Sequence, residues 1–122
     1  APSLLWKKSR GVGVSFFDRE KMPIASPRYA LTNTMVAGAP ADPGVYAVWE
    51  NEELIYYGHA HGGSETIQSC LTQHLAGGNG CTARATHYGW EISANPPARE
   101  AELVREFERQ NKRLPRCNAG QS

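Results

Sequence analysis

Cys70 and His74 are four positions apart within a predicted helix. Side chains at i and i+4 meet on one helix face, so a thiol and an imidazole would lie side by side. This pair is the minimal arrangement for a nucleophilic cysteine, with His74 managing the proton. It predicts that Cys70 reacts with an alkylating reagent before the other cysteines, and that His74→Ala slows the reaction. A chance neutral residue at position 70 is the alternative.

Two further histidines, His59 and His61, precede this helix in the segment GHAHGG. Together with Cys70 and His74 they would supply four nitrogen and sulfur ligands, a donor set that zinc accepts. Adjacent H-x-H pairs on loops are also commonly just exposed. A zinc site is therefore a further alternative for these four residues.

The elements that must position these side chains begin with a predicted hairpin. Two β-rich runs, 44–50 and 54–58, are joined by three polar residues, a pattern typical of a β-hairpin. Two glycines then break the chain. Ser64 and Glu65 offer an N-cap hydroxyl and a first-turn carboxylate for a helix over 66–75.

The second half of the chain predicts one more strand and one long helix. Residues 86–92 alternate as a half-buried strand, and Asn95 followed by two prolines begins a helix that continues to about residue 112. The order hairpin, helix, strand, helix predicts an α+β fold, a small three-stranded antiparallel sheet flanked by helices. We expect residues 1–43, which contain five prolines, to form an arm around a domain at 44–118.

Several segments then carry a resemblance to a known family. GVY at 44–46 and YYG at 56–58 lie on the two runs of the hairpin, and the segments TIQSCLTQHLAG, ATHYGWEI, REAELVREFERQ and RLPRCN follow in that order. Over roughly residues 40 to 118 the chain resembles the GIY-YIG nuclease family. The resemblance implies a metal-dependent endonuclease that cleaves the phosphodiesters of DNA.

The resemblance also implies roles for individual residues. It assigns Tyr46 or Tyr56 to the deprotonation of water and His74 to the family's helix histidine. Glu100 becomes the ligand of Mg²⁺ or Mn²⁺. The residues expected to contribute to binding are Gly58, His59, Arg84 and Asn118.

Ordinary structural roles are open for the same residues. The two tyrosines could be strand residues with their hydroxyls at the sheet rim. His74 could satisfy a buried backbone group, and Asn118 could only bond the chain after Pro115 to the sheet.

Glu102 is the alternative to Glu100 as the metal-holding glutamate. Glu100 lies one and two turns before Leu103 and Phe107, on the helix face that must meet the sheet, whereas Glu102 shares the outer face with Arg105. A carboxylate that faces the core needs a partner, and a metal ion would be one. Helical spacing therefore favours Glu100.

The family's first helix carries two arginines where this chain has Gln68 and Cys70. Arginine holds a phosphate through two parallel hydrogen bonds, which neither replacement can imitate. Losing one such contact typically costs about 10² to 10³-fold in rate, unless Arg84 or Arg99 takes its place.

Three functions therefore remain open. The chain is a slow nuclease, a cofactor-independent enzyme in which Cys70 attacks a small electrophilic substrate, or a non-catalytic module that binds nucleic acid or protein.

Charge and cysteine content limit the possible functions and the possible compartment of this protein. Residues 1–43 carry six Lys and Arg against three Asp and Glu, while residues 44–122 carry seven against nine. A DNA-binding face needs basic residues, so only the amino-terminal arm could supply one. Cys81 and Cys117 are expected to be packed thiols, and three free cysteines favour a reducing compartment. With no apolar run of membrane-spanning length, we expect a cytoplasmic protein without membrane contacts.

Overall fold

The computed structural model of this protein describes residue 24 and residues 26–77 and 80–119. This part of the chain contains four strands, four α-helices and a 3₁₀ turn. In chain order they are β1 (Tyr29–Ala30), α1 (Asn33–Ala37), β2 (Gly44–Glu50), β3 (Glu53–Ala60), α2 (Ile67–Leu75), a 3₁₀ turn (Gly80–Thr82), β4 (His87–Ile92), α3 (Pro96–Asn111) and α4 (Arg116–Ala119). The predicted α+β class is confirmed.

The described strands form one antiparallel sheet in the order β1-β4-β2-β3. The expectation of three strands is wrong, because the short strand β1 pairs with β4 through Tyr29 opposite Tyr88 and Ala30 opposite His87. Two residues are too few to show the alternation that marks a strand in a sequence. β3 therefore lies at one edge of the sheet, next to the central strand β2.

Each face of the sheet packs against a different layer. α1 and α2 cover one face, where Tyr46, Val48 and Tyr88 enter a core with Leu71. α3 covers the other face, where Leu103 belongs to a second core. β2 is buried on both faces, as expected for a central strand between two helical layers.

The glycines of GVY and YYG allow close approaches around β2. Gly58 pairs directly with Tyr46 in the sheet. A Cβ atom at Gly58 would lie 2.5 Å from the ring and hydroxyl of Tyr46 and 2.8 Å from the ring of Tyr56. At Gly44 a Cβ atom would collide with the Glu91 carbonyl and the Ile67 side chain. Glycine at position 58 thus leaves room for both tyrosine rings.

The N-cap of α2 lies two residues after the predicted one. Thr66 is the N-cap, and its hydroxyl accepts the Ser69 N–H while the Ser69 hydroxyl accepts the Thr66 N–H, a reciprocal capping arrangement. Ser64 precedes it in a loop closed by backbone bonds between Gly62 and Glu65. The expectation of Ser64 as cap is therefore wrong, because the chain is still turning there.

Cys81 and Cys117 form a disulfide, so the expectation that both are packed thiols is wrong. The two cysteines are 36 positions apart, and only the tertiary fold brings the 3₁₀ turn next to α4. Cys70 is the free cysteine of the described residues. The expectation of a reducing, cytoplasmic compartment thereby loses the support it drew from three free thiols.

Part of the predicted arm can be compared with the structure. Residues 29–37 form β1 and α1, and the Tyr88 hydroxyl donates a 2.7 Å bond to the Met35 carbonyl. Backbone N–H groups at the start of α2 donate to the Pro40 and Asp42 carbonyls. The segment VGVSFF at 12–17, whose sequence favours a strand, lies outside the described residues. No helix in the described ranges is long and apolar enough to cross a membrane.

Candidate functional site

A cleft of about 250 Å³ opens beside the edge strand β3. It lies where the hairpin of β2 and β3 meets α2. Its lining residues are Tyr46, Tyr56, His59, Glu65, Cys70, Gln73 and His74. Five of the residues expected to act in catalysis or binding therefore share one depression.

The two tyrosine rings and His74 form the floor of the cleft. The ring centroids of Tyr46 and Tyr56 are 6.2 Å apart, and each lies within 5.5 Å of the His74 ring. Hairpin pairing brings the two strands together, and Gly58 leaves space for both rings. A phenol pair and an imidazole thus line the same depression.

His74 is held by a hydrogen bond at each ring nitrogen. Nε2 lies 3.2 Å from the Tyr46 hydroxyl, and Nδ1 lies 2.8 Å from the Thr82 hydroxyl. Burial lowers the pKa of His74, because an apolar environment disfavours the charged ring. The imidazole is therefore neutral at pH 7.

Tyr46 is a neutral phenol in this setting. Burial raises the pKa of Tyr46 far above its usual range, and the neighbouring Tyr56 raises it further. A resting phenolate at this position is excluded near neutral pH. Any proton that Tyr46 accepts must be matched by one that it passes on, and the hydrogen-bonded His74 is placed to take it.

Cys70 interacts with Tyr46 rather than forming an ion pair with His74. Its thiol is 7% exposed and interacts with the Tyr46 hydroxyl and with Ser69. Burial raises the pKa of the Cys70 thiol, and the Glu65 carboxylate raises it further. Because His74 is neutral, the imidazolium on which the nucleophilic cysteine depended is missing at pH 7.

We accordingly expect Cys70 to react slowly with iodoacetamide at pH 7.5, at least about tenfold more slowly in the native protein than in urea. The raised pKa reduces the thiolate fraction, and the thiol is nearly buried. Mass spectrometry of the modified peptide measures the rate. His74→Ala should not slow labelling, because a neutral imidazole does not stabilise the thiolate. If Cys70 is instead labelled rapidly in the native protein, and if His74→Ala slows that labelling, the hypothesis of a nucleophilic cysteine would be supported.

Glu100 lies on the second turn of α3, beside the cleft. Its carboxylate contacts the imidazole of His59, which itself lines the cleft. Its charge also raises the pKa of Tyr46, as the smallest of several causes. Glu102 instead accepts a 2.8 Å bond from Arg99. Glu100, not Glu102, is thus the α3 carboxylate next to the cleft.

The remaining predicted residues lie apart from the cleft. Asn118 forms two hydrogen bonds with the backbone of the edge strand β3. Its Oδ1 accepts the Tyr57 N–H at 2.9 Å, and its Nδ2 donates to the Tyr57 carbonyl at 3.0 Å. Arg84 is exposed and does not line the cleft. Arg99 is held by Glu91 as well as Glu102. Neither arginine replaces the missing phosphate clamp in this arrangement.

The proposed zinc ligands do not assemble. His61 is largely exposed beside Glu65, His59 contacts Glu100, and His74 binds Tyr46 and Thr82 through its two nitrogens. Among the residues that the structure describes, no group of three or more His, Cys, Asp or Glu is placed to hold a metal ion. The described residues therefore give the zinc interpretation no support.

A magnesium or manganese ion requires fewer protein ligands than a zinc ion does. Mg²⁺ commonly binds one or two carboxylates and keeps several waters or substrate phosphate oxygens as its other ligands. The Glu100 side chain is 24% exposed and offers such a hard oxygen donor at the cleft rim. One accessible carboxylate fits this mode of binding, with His59 as its neighbour.

No protein-family model, curated protein or solved structure matches this chain. The resemblance to the GIY-YIG family thus rests on the quoted motifs and on the arrangement of their residues. The motif residues Tyr46, Tyr56 and His74 line one cleft, and Glu100 contacts His59, which lines the same cleft.

The cleft also contains residues that the sequence did not indicate as functional. Gln73 lies three positions after Cys70 on α2, so helical spacing could have placed it on the same face. Glu65 was expected only as a first-turn carboxylate. Thr82, the partner of His74 Nδ1, lies outside every motif. No local sequence pattern predicts its contact with His74.

Proposed function

We propose that this protein is a GIY-YIG-type hydrolase that cleaves phosphodiesters of DNA slowly, with the help of a divalent cation. The observation that carries the proposal is the convergence of Tyr46, Tyr56 and His74 in one cleft, whose lining residue His59 contacts the Glu100 carboxylate. The residues proposed to transfer the proton thereby line the cleft, and the carboxylate proposed to bind the metal contacts one of its lining residues.

The proposed proton transfer uses Tyr46 and His74 together. As a water molecule attacks phosphorus, its proton moves to the Tyr46 oxygen and the phenolic proton moves to His74 Nε2. A new phosphorus–oxygen bond forms while the bond to the leaving oxygen breaks. The leaving oxygen takes up a proton from solvent, so the products are a phosphomonoester and an alcohol.

Glu100 would hold the cation, Mg²⁺ or Mn²⁺, as its protein ligand. When bound, such an ion neutralises the negative charge that develops on the phosphate oxygens. His59 orients the Glu100 carboxylate through their direct contact.

Weak binding of DNA is part of this proposal. The described residues that line the cleft include no lysine or arginine, and Glu65 adds a negative charge. Phosphate neutralisation supplies most of the affinity for DNA, so the basic residues of the 1–43 segment are the proposed source of binding. Binding should therefore weaken steeply with salt.

Two other functions have less support. A cysteine-dependent enzyme acting on a small electrophilic substrate requires a thiolate at Cys70, and the pKa shifts of Cys70 and His74 both disfavour it. A non-catalytic binding module would bind DNA with the same salt dependence but would not cleave it.

The experiment compares Glu100→Gln with Glu102→Gln in a plasmid-nicking assay. Wild type should nick DNA with Mg²⁺ or Mn²⁺ and not with EDTA. Glu100→Gln should lower the rate by about 100-fold, because it removes the charged metal ligand. Glu102→Gln is the matched control on the same helix and should cut like wild type. Equal rates in both variants, or cleavage in EDTA, would contradict the proposal.

A further inference from the structure

A buried chain of polar side chains runs from the 3₁₀ turn to the cleft. The Thr82 hydroxyl lies 2.8 Å from His74 Nδ1, and His74 Nε2 lies 3.2 Å from the Tyr46 hydroxyl. Thr82 is 1%, His74 8% and Tyr46 4% exposed. Polar groups this deeply buried need hydrogen-bond partners within the protein or from ordered water.

Counting donors and acceptors selects one arrangement of protons. A neutral imidazole has one N–H donor and one unprotonated nitrogen acceptor. The Tyr46 hydroxyl has one proton, and its neighbours are His74 Nε2 and the Cys70 sulfur. A ring nitrogen is the stronger acceptor, since sulfur accepts hydrogen bonds only weakly. Tyr46 therefore donates to Nε2, and the His74 proton must sit on Nδ1.

We propose that Thr82 is a positioning residue that holds His74 in its Nδ1–H form by accepting that proton's hydrogen bond. The hydrogen bond made by one imidazole nitrogen sets which nitrogen carries the proton. Nε2 is thereby kept free to receive a proton from Tyr46. The catalytic meaning of this arrangement rests on the proposed hydrolysis, but the arrangement itself does not.

The position of Thr82 is fixed by its surroundings. Thr82 follows Cys81, which is joined to Cys117, so the 3₁₀ turn is tied covalently to α4. Thr82 therefore forms a fixed acceptor rather than a mobile loop hydroxyl.

Nitrogen-15 NMR of the oxidised protein at pH 7.5 tests the proposal directly. The chain has four histidines, and His74→Gln identifies the His74 signals by their loss. In wild type, Nδ1 should show the chemical shift of a protonated nitrogen and Nε2 that of an unprotonated one. A wild-type His74 that carries its proton on Nε2 would overturn the proposal without any variant.

Two variants separate positioning from packing. Thr82→Val keeps the shape but removes the acceptor, so the proton should move to Nε2. Thr82→Ser keeps the hydroxyl and should retain the wild-type signals. Cleavage should fall about tenfold in Thr82→Val, as for other residues that orient an imidazole, and return in Thr82→Ser.

The outcomes also distinguish this inference from the proposed function. Wild-type tautomer signals in a folded Thr82→Val would overturn the role of Thr82, whatever the cleavage rates are. The expected tautomer shift in a protein that never cleaves DNA would support the positioning role and reject the hydrolase. Circular dichroism establishes that each variant is folded.

Discussion

Replacing Cys70 with arginine should raise the rate of DNA cleavage by about 10² to 10³-fold. Arginine would return a permanent, forked charge able to hold a phosphate oxygen pair during the reaction. Cys70 lines the cleft together with both tyrosines and His74. The expected gain follows from placing that charge where the phosphate of a bound DNA strand would lie.

The cleft can accept this substitution. Cys70 is nearly buried, but it lines a cleft of about 250 Å³ that opens at the edge of the sheet. The Glu65 carboxylate, which is half exposed and raises the pKa of the Cys70 thiol, would offset the new positive charge. A long side chain can therefore extend into the cleft instead of into the core.

Gln68→Arg is the matched control, because position 68 is the other arginine position of the family's helix. The Gln68 side chain donates a 2.8 Å bond to the Ala37 carbonyl and does not line the cleft, so Gln68→Arg should leave the rate unchanged. Cys70→Lys adds charge without the fork and should give a smaller gain. A folded Cys70→Arg variant that cleaves DNA no faster than wild type would contradict this prediction and would indicate that the scaffold has left phosphodiester chemistry.

Reduction of the Cys81–Cys117 disulfide should lower the free energy of unfolding by about 4 kcal/mol. The bond closes a loop across 36 positions, and a cross-link of that length removes a large part of the unfolded chain's conformational entropy. Urea unfolding of the oxidised and the reduced protein measures the difference. The effect is a large fraction of the stability of a domain of this size.

The paired variant Cys81→Ser with Cys117→Ser should show the same loss without any reductant. Cys70→Ser is the matched control, and its stability should still respond to reduction, because the free thiol is not part of the bond. Equal stability of the oxidised and reduced proteins would show that the disulfide does not constrain the unfolded chain.

Local patterns determined most of the secondary structure. The two β-rich runs at 44–50 and 54–58 and the short polar turn between them specify a hairpin, because residues that favour strands flank residues that favour a turn. The two prolines after Asn95 specify the start of α3, because proline fits the first helical turn. Helical spacing also placed Glu100, and not Glu102, beside the sheet. Each of these features depends on residues close together in the chain.

Only the tertiary structure decided the chemistry of the thiol. The sequence placed Cys70 and His74 one turn apart, and both line the cleft. Spacing on a helix does not reveal how deeply a pair is buried. Burial keeps both groups neutral, and the packing of α2 on the sheet brings Tyr46 to both. The predicted ion pair between Cys70 and His74 is therefore replaced by a network of neutral groups that includes Tyr46.

The other contacts missed by sequence reasoning join residues far apart in the chain. Cys81 reaches Cys117, and Tyr29 pairs with Tyr88. Even Thr82, eight positions after His74, belongs to a separate turn. A local pattern records which face of a helix or strand a side chain occupies. Which faces then meet depends on how the helices pack on the sheet, and that packing decided the partners of every residue in the cleft.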